Sequence, residues 1–277
     1  MAEAEAIVRA EEPLDLTFSE AELEAYREHC TTFVRDQLDA AGVDRAVIGL
    51  SGGIDSTLTS HLAVEALGAD SVHGLVMPSE VNRAENMSDA ERVAEELLGI
   101  DYDVVEINPL VDAFLEAFPA ADGDQLAVGN LRVRCRAVLN YLVANHEDAL
   151  VLGTGNRSEA LVGYYTKYGD GAVDCHPIAP LYKQQVRQLA RHVGVPEDLA
   201  EKTASAEMWS GQTDAGEMGM DYDTLDSILA LHVDGGVPAA ATADHIGVPE
   251  SAVEQVRGMY ERSAHKRAMP PGPEPLY

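Results

Sequence analysis

The chain has 277 residues, of which 46% are apolar, and its 19 basic against 48 acidic residues give a formal net charge of −29. It can bury a core and fold in water, but it would repel nucleic acid and anionic membranes. Self-repulsion of this size is tolerated where salt screens it, which predicts a salty cytoplasm such as that of a halophilic archaeon.

The sequence predicts neither a targeting signal nor a membrane-spanning segment. No run approaches the roughly 18 consecutive apolar residues of a membrane-spanning helix, and the N-terminus is acidic where a signal peptide is basic. We therefore expect a cytoplasmic protein with an acidic leader over residues 1–19 and a proline-rich tail over residues 270–277.

Cysteine and lysine are scarce. The three cysteines are far apart, which predicts reduced thiols without a metal or catalytic role: Cys30, Cys135 and Cys175. Only four lysines stand beside fifteen arginines, so each lysine either has a specific function or is an ordinary solvated side chain. They are Lys167, Lys183, Lys202 and Lys266.

The first half of the chain alternates helices and strands. Apolar spacing and glycine stops predict helices over residues 20–41, 56–67, 86–98 and 110–118, and strands over residues 45–50, 71–77, 102–107 and 149–152. This alternation predicts an α/β fold in which a parallel sheet has helices on both faces, built as a single domain over residues 1–277.

The second half is predicted to be mostly helical. Residues 131–138 alternate like a strand, but their continuation to residue 142 favours a helix. Residues 163–175 form a glycine-rich polar loop that is long enough to be a mobile lid. Beyond Lys183 the pattern is mainly helical.

The sharpest motif is the turn from Ser51 to Ser56, Ser-Gly-Gly-Ile-Asp-Ser, between a strand and a helix. Its small residues let backbone N–H groups converge on an anion, which predicts phosphate binding. The turn has no lysine, so it differs from the loop of ordinary nucleotide triphosphatases. Asp55 beside phosphates makes sense if it holds Mg²⁺; the alternative is a glycine-capped turn with a surface aspartate.

This turn resembles the pyrophosphate loop of the ATP pyrophosphatases. Three further stretches are similar to the signature of the ammonia-dependent NAD synthetases within that superfamily: residues 153–159 with 163–171, residues 130–136, and residues 265–267. The resemblance covers residues 20 to 268. It implies an adenine nucleotide alpha hydrolase-like, Rossmann-like fold with a helical C-terminal part.

The resemblance also implies site residues. ATP would be bound by Gly49, Leu50, Ser51, Gly52, Gly53, Ile54, Asp55, Ser56, Thr154, Lys183 and Ser205. Mg²⁺ would be held by Asp55 and Glu159. Deamido-NAD would be contacted by Arg134, Lys167, Asp174, His265 and Lys266. The catalytic residues would be Asp55, Lys183 and Asp174.

The implied reaction is a ligation in two steps, the last of NAD biosynthesis. The nicotinate carboxylate attacks the α-phosphorus of ATP to give an acyl adenylate and pyrophosphate, and ammonia then displaces AMP. Asp174 would orient the ammonia or accept its proton. A fused glutaminase would need several hundred more residues, so free ammonia or a separate glutaminase subunit is expected. The family also implies a homodimer, with candidate contacts at Tyr26, Phe33, Leu139 and Leu142.

Other interpretations remain at this stage. Arg132 and Arg136 either pair with phosphates or form surface ion pairs. Residues 241–266 read as a helix-turn-helix, but the charges from Asp244 to Arg267 sum to zero on an acidic protein, which argues against DNA binding. The runner-up enzyme is another ATP pyrophosphatase, although the paired cysteines and basic face expected of a tRNA-thiolating enzyme are not visible.

Overall fold

The computed structural model describes residues 15–81, 84–206, 208–209 and 211–276. The predicted acidic leader, residues 1–19, therefore lies mostly outside the described residues. No helix in the described ranges is long and apolar enough to cross a bilayer.

Within the described chain, four parallel strands form the centre of the fold, in the order β3-β2-β1-β4. They are β1 (Arg45–Leu50), β2 (Val72–Val76), β3 (Asp101–Val104) and β4 (Ala149–Leu152). β1 pairs with β2 on one side and with β4 on the other, so the order of the strands reverses at β1. In parallel sheets such a reversal opens a crevice at the carboxyl ends of the strands.

The described residues include six α-helices in this part of the chain: one precedes β1, four lie between the strands, and one follows β4. They are α1 (Glu20–Ala41), α2 (Ile54–Leu67), α3 (Ala84–Arg92), α4 (Asn108–Ala117), α5 (Gln125–Glu147) and α6 (Arg157–Val162). A π-helical segment, Val93–Leu98, continues α3. Residues 131–138 thus belong to a helix, as their continuation indicated.

Alternate side chains of β1 enter two different cores, as the period of a strand requires. Ala46 and Ile48 pack with residues of α1 and α2, whereas Val47 packs with residues of α4 and α5. Both faces of the sheet are covered by helices. The predicted fold class is confirmed.

The C-terminal part is helical. It contains α7 (Lys183–His192), α8 (Glu197–Ala200), α9 (Asp214–Met218), α10 (Tyr222–Ile228), α11 (Ala239–Ile246) and α12 (Glu250–Arg262), with a π-helical segment at Leu229–Asp234. The predicted helix-turn-helix is α11 and α12, joined at Gly247. Its apolar residues Ala243, Val253 and Val256 are buried in the core of this part.

Several element boundaries differ from the prediction: α3 and α4 each begin two residues earlier, and β2 is one residue shorter at each end. α2 begins at Ile54 and not at residue 56, because Gly53 takes the extended conformation of an N-cap. This places Asp55 in the first helical turn. β3 ends at Val104 and not at residue 107, since Pro78 follows β2 and has no N–H with which to continue the ladder.

The three cysteines are buried, free thiols. Burial raises the pKa of Cys30 and of Cys175 to about 11. The reactive thiolate is therefore disfavoured, in agreement with the predicted reduced state.

Candidate active site

The glycine-rich turn after β1 supplies the geometry of an anion site. Gly52 has a φ of 71°, in the left-handed region that favours glycine. The N–H of Gly53 donates to the hydroxyl of Ser51 at 3.2 Å, and the hydroxyl of Ser56 donates to the carbonyl of Gly53 at 3.0 Å. α2 starts directly behind the turn, and the first N–H groups of a helix have no partner within it. These groups and the helix dipole favour phosphate oxygens.

Two carboxylates and a lysine meet beside this turn. Lys183, the first residue of α7, is 2% exposed, and its Nζ donates to Oδ2 of Asp55 and, at 3.2 Å, to Oε1 of Glu159. Asn156, the N-cap of α6, donates from Nδ2 to Oδ1 of Asp55 at 2.8 Å. The two predicted metal carboxylates therefore converge on one cation.

Burial and charge set the protonation of this group. Burial raises the pKa of Glu159 to about 7; Lys183 opposes the shift and Asp55 adds to it. Burial disfavours the charged form of Lys183, but the carboxylates of Asp55 and Glu159 raise its pKa overall. The ammonium thus stays protonated at the centre of the site.

Tyr222 and a third carboxylate, that of Asp214, lie next to Lys183 and Glu159. The hydroxyl of Tyr222 lies 2.9 Å from Oδ2 of Asp214 and 3.3 Å from Oε1 of Glu159, and Nζ of Lys183 lies 5.1 Å from the centre of its ring. Burial raises the pKa of both Tyr222 and Asp214. Tyr222 thereby links Glu159 to a second buried acid.

A buried aspartate fixes the start of α7. Asp226 is 0% exposed and accepts the N–H of Gln184 at 2.9 Å and the hydroxyl of Ser158. The hydroxyl oxygen of Ser158 in turn accepts the N–H of Lys183 at 2.9 Å. These bonds satisfy N–H groups of the first turn of α7 and hold the backbone of Lys183 in place.

A cavity of about 810 Å³ opens at these residues. Ligand pockets measure roughly 300–1,000 Å³, so the space suits a nucleotide. Most of the predicted ATP-binding residues line it, together with the predicted metal ligand Glu159 and one of the predicted deamido-NAD residues, Lys266. The ATP-binding residues in the lining are Gly49, Leu50, Ser51, Gly53, Ile54, Asp55, Ser56, Thr154, Lys183 and Ser205.

Five other predicted residues lie outside the lining. Arg134 donates to the carbonyl of Lys167 at 3.2 Å, and Nζ of Lys167 donates to the carbonyl of His265 at 2.6 Å, so these three form a chain of contacts. Asp174 is separate from them. Its carboxylate accepts the N–H of Val151 at 2.7 Å and the hydroxyl of Tyr141 at 3.1 Å. Gly52 is likewise not among the lining residues.

Lys266 ties the C-terminal segment to the glycine-rich loop. Its Nζ donates to the carbonyls of Gly163 at 2.7 Å and Tyr165 at 2.6 Å, and it lies 5.2 Å from the centre of the Tyr165 ring. At Gly163, which has a φ of 72°, a Cβ would stand 2.2 Å from Ser263. Glycine is therefore required here by both conformation and packing.

Arg132 and Arg136, whose roles the sequence did not decide, have different environments. Arg132 is 8% exposed and donates to the carboxylate of Glu80 at 2.7 Å. The arginine of this ion pair is buried, whereas the glutamate is exposed. Arg136 donates to the carbonyl of Met77 at 3.0 Å and lines the cavity.

Several residues of the site were not predicted from the sequence: Asn156, Lys202, Asp214 and Tyr222. Lys202 had a signal, the scarcity of lysine, but no role was assigned to it. Asn156 lies within residues 153–159, which carry part of the family resemblance, but no role was assigned to it. Asp214 and Tyr222 come from α9 and α10, and only the packing of the C-terminal helices brings them to Glu159.

Comparison with known proteins decides the family. A family model described as NAD synthase matches residues 26–270. The chain belongs to the NAD synthase family. It is 64% identical, over 94% of its own length and 97% of the relative's, to a Halobacterium salinarum protein named NH(3)-dependent NAD(+) synthetase.

Solved structures of the family share the architecture. The chain matches an NMN synthetase from Francisella tularensis with a TM-score of 0.80 and 33% identity, covering 93% of this chain and 99% of that one. It matches an NH3-dependent NAD synthetase from Campylobacter jejuni with a TM-score of 0.76 and 27% identity, covering 93% and 100%. The fold is the adenine nucleotide alpha hydrolase-like fold of NAD synthetases.

Proposed function

We propose that the chain amidates the nicotinate carboxylate of deamido-NAD to give NAD, with ATP and ammonia as co-substrates, in the last step of NAD biosynthesis. The main observation in support is that Lys183 contacts both Asp55 and Glu159 beside the glycine-rich turn, in a chain of the NAD synthase family. Ammonia as the nitrogen donor is supported by the name of the Halobacterium relative.

The arrangement suits activation of a carboxylate by ATP. Ammonia does not displace a carboxylate oxygen, so that oxygen must first become part of a mixed anhydride with phosphate. Attack on the α-phosphorus forms a carbon–oxygen–phosphorus link and breaks the bond to pyrophosphate. The N–H groups of the turn hold the phosphates, and Lys183 offsets the charge that develops on the departing pyrophosphate. Ammonia then attacks the acyl carbon and AMP leaves.

We propose that Asp55 and Glu159 also hold Mg²⁺. Carboxylate oxygens are the hard ligands that Mg²⁺ prefers, and the ion is commonly bound by one or two carboxylates together with substrate phosphates. Both carboxylates already share one cation, the ammonium of Lys183, so their oxygens fit this role. The described residues include no group of three metal-ligating side chains, which fits binding completed by phosphates. Bound Mg²⁺ would neutralise phosphate charge.

For the deamido-NAD side we retain the five residues Arg134, Lys167, Asp174, His265 and Lys266. Four of them are connected, since Arg134, Lys167 and His265 contact one another in series and Lys266 follows His265. Asp174 lies next to β4, where its carboxylate is already held by two donors. Its catalytic role stays a prediction.

A second candidate substrate follows from the Francisella structure, which is named an NMN synthetase. The same chemistry on a mononucleotide would amidate nicotinate mononucleotide and give NMN. The higher identity to a relative named for NAD favours the dinucleotide.

An assay of the purified chain with ATP, Mg²⁺ and ammonium separates these two substrates. We expect NAD and AMP to form in equal amounts from deamido-NAD, at a kcat/KM well above that for nicotinate mononucleotide. A preference for the mononucleotide would support the second candidate, and turnover of neither would reject the proposal.

We further propose a homodimer, formed through the outer face of α5. Val138 is 67% and Leu142 63% exposed, and they share one helix face with the predicted substrate residue Arg134 at spacings of four. Leu142 was among the predicted contacts, whereas the other three, Tyr26, Phe33 and Leu139, are already partly buried in the chain's own cores. Light scattering of the active enzyme should give twice 29.7 kDa; an active monomer would contradict the proposal.

A cytoplasmic location in a halophile also belongs to this proposal. It is supported by the net charge of −29 and by the relative from Halobacterium salinarum. Salt at molar concentration screens such a charge within roughly 3 Å.

A further inference from the structure

Lys202 lies directly behind the phosphate-binding turn. It follows α8, and its Nζ donates to the carbonyl of Gly52 at 3.1 Å and to a carboxylate oxygen of Asp89 on α3. Its side chain is 18% exposed, and the residue lines the same cavity as Asp55 and Lys183. A second ammonium group therefore stands at the turn, on a different element from the first.

The two lysines are held differently. Nζ of Lys183 lies between two carboxylates, and the Lys183 side chain is only 3% exposed. Nζ of Lys202 has one carboxylate and one carbonyl, and an ammonium group has three N–H donors. Among the described residues, these two contacts leave one donor of Lys202 for a ligand.

Several carboxylates line the cavity, so binding of a triphosphate there requires cationic groups. Its lining includes the carboxylates of Asp55, Glu159, Asp214 and Glu217. A triphosphate brings several more negative charges to the same place, and Lys183 has to offset them while it also contacts the carboxylates of Asp55 and Glu159. In a chain with only four lysines, a lysine at the phosphate-binding turn is a specific feature and not surface background.

We propose that Lys202 is a phosphate-binding residue, whose ammonium contacts the β- and γ-phosphates of ATP and remains on the pyrophosphate when it leaves. The inference rests on the proposed function in so far as ATP is the co-substrate. Binding exchanges the Asp89 carboxylate for phosphate oxygens, while the contact with the Gly52 carbonyl keeps Nζ at the turn. AMP lacks both outer phosphates and makes no use of Lys202.

The competing explanation is structural: the ion pair between Lys202 and Asp89 simply joins α3 to the segment after α8. The two explanations differ in what removal of Asp89 does. If Lys202 binds phosphate, Asp89→Asn leaves the cation in place and frees it. If the ion pair is the purpose, Asp89→Asn and Lys202→Met cause the same loss.

The test is calorimetric binding of inorganic pyrophosphate, ATP and AMP, with Mg²⁺ and molar KCl, to the full chain and to three variants. We expect Lys202→Met to weaken pyrophosphate and ATP binding about tenfold, equivalent to about 1.4 kcal/mol, with AMP binding unchanged. Lys202→Arg should retain most of the affinity. Asp89→Asn should bind pyrophosphate as tightly as the unchanged chain or more tightly.

Equal pyrophosphate affinities for the unchanged chain and Lys202→Met would overturn the inference and leave the proposed function intact. A loss in Asp89→Asn as large as that in Lys202→Met would overturn it in favour of the structural explanation. If Lys202→Met does not fold, as judged by circular dichroism, the Asp89→Asn comparison alone decides between the two. Failure of the unchanged chain to bind ATP would instead reject the proposed function.

Discussion

Asp55 is held on both carboxylate oxygens, by Asn156 on one side and by Lys183 on the other. Such fixed geometry is typical of a group that must present its charge in one direction. The sequence motif predicted Asp55 because a carboxylate beside phosphates has few other uses. Nothing in the motif predicted that a buried asparagine would orient it.

We expect Asp55→Asn to lower kcat at least about a hundredfold, because it removes a charge that is needed when pyrophosphate departs. Steady-state kinetics with saturating ATP, deamido-NAD and ammonium measures this. Asp39→Asn, at an exposed position of α1, is the matched control and should be silent. Near-normal turnover of Asp55→Asn in Mg²⁺ would contradict the assignment.

The buried carboxyl group of Asp226, which helps to hold the start of α7 at Lys183, makes stability depend on pH. Burial raises its pKa from 3.8 to about 6, against the bonds from Ser158 and Gln184. For a carboxyl group with a raised folded pKa, the folded state keeps a proton that the unfolded chain has released. Its contribution to stability is therefore fully present below pH 3.8 and is lost as the pH rises to about 6.

Replacing Asp226 with asparagine should remove this part of the pH dependence. The free energy of unfolding of both chains is measured by denaturant unfolding in molar KCl. The value for Asp226→Asn minus the value for the unchanged chain should rise by about 1–3 kcal/mol between about pH 4 and pH 6.5, because only the unchanged chain loses the Asp226 contribution. A constant difference across that window would show that burial does not shift this carboxyl group.

At the scale of elements, periodicity located most of the structure. β1 and β4 have the predicted bounds, and α1 ends at Ala41, directly before the predicted stop at Gly42. Val93–Leu98 lies within the helix predicted over residues 86–98, but its π-helical form was not predicted, since a change of helical period leaves the apolar pattern nearly unaltered. Which helices meet at Glu159 depends on tertiary packing, and no local pattern reports it.

The glycine-rich loop, residues 163–175, was predicted to be a mobile lid on account of its glycines. In the structure those glycines allow close packing: a Cβ at Gly169 would stand 2.8 Å from Val133, and one at Gly171 would stand 2.7 Å from Tyr165. The hydroxyl of Thr166 also donates to Asn130 at 2.7 Å. Mobility of the free loop stays a prediction.

Limited proteolysis tests the lid. Trypsin should cut after Lys167 in the free enzyme, and ATP with deamido-NAD should slow that cut by ordering the loop. Cleavage after Lys202, followed in the same digest, reports on the phosphate side of the cavity. Equal rates of cleavage after Lys167 with and without both ligands would show that this segment does not close over the substrate.

At the scale of the whole molecule, charge is the dominant property. The −29 charge was read directly from the sequence, whereas the single-domain organisation remains a prediction. We expect the melting temperature to rise steeply from low salt to molar KCl, because screening removes repulsion among the carboxylates. A melting temperature that is flat over this range would contradict adaptation to high salt.

The central claim is that ATP activates the nicotinate carboxylate by transfer of AMP to it. Deamido-NAD labelled with a heavy oxygen isotope in that carboxylate tests this directly, with mass spectrometry of the products of a complete turnover. We predict one labelled oxygen in AMP and none in pyrophosphate, because the carboxylate oxygen that attacks the α-phosphorus leaves with it. Label in orthophosphate, with ADP as the product, or unlabelled AMP would contradict the account.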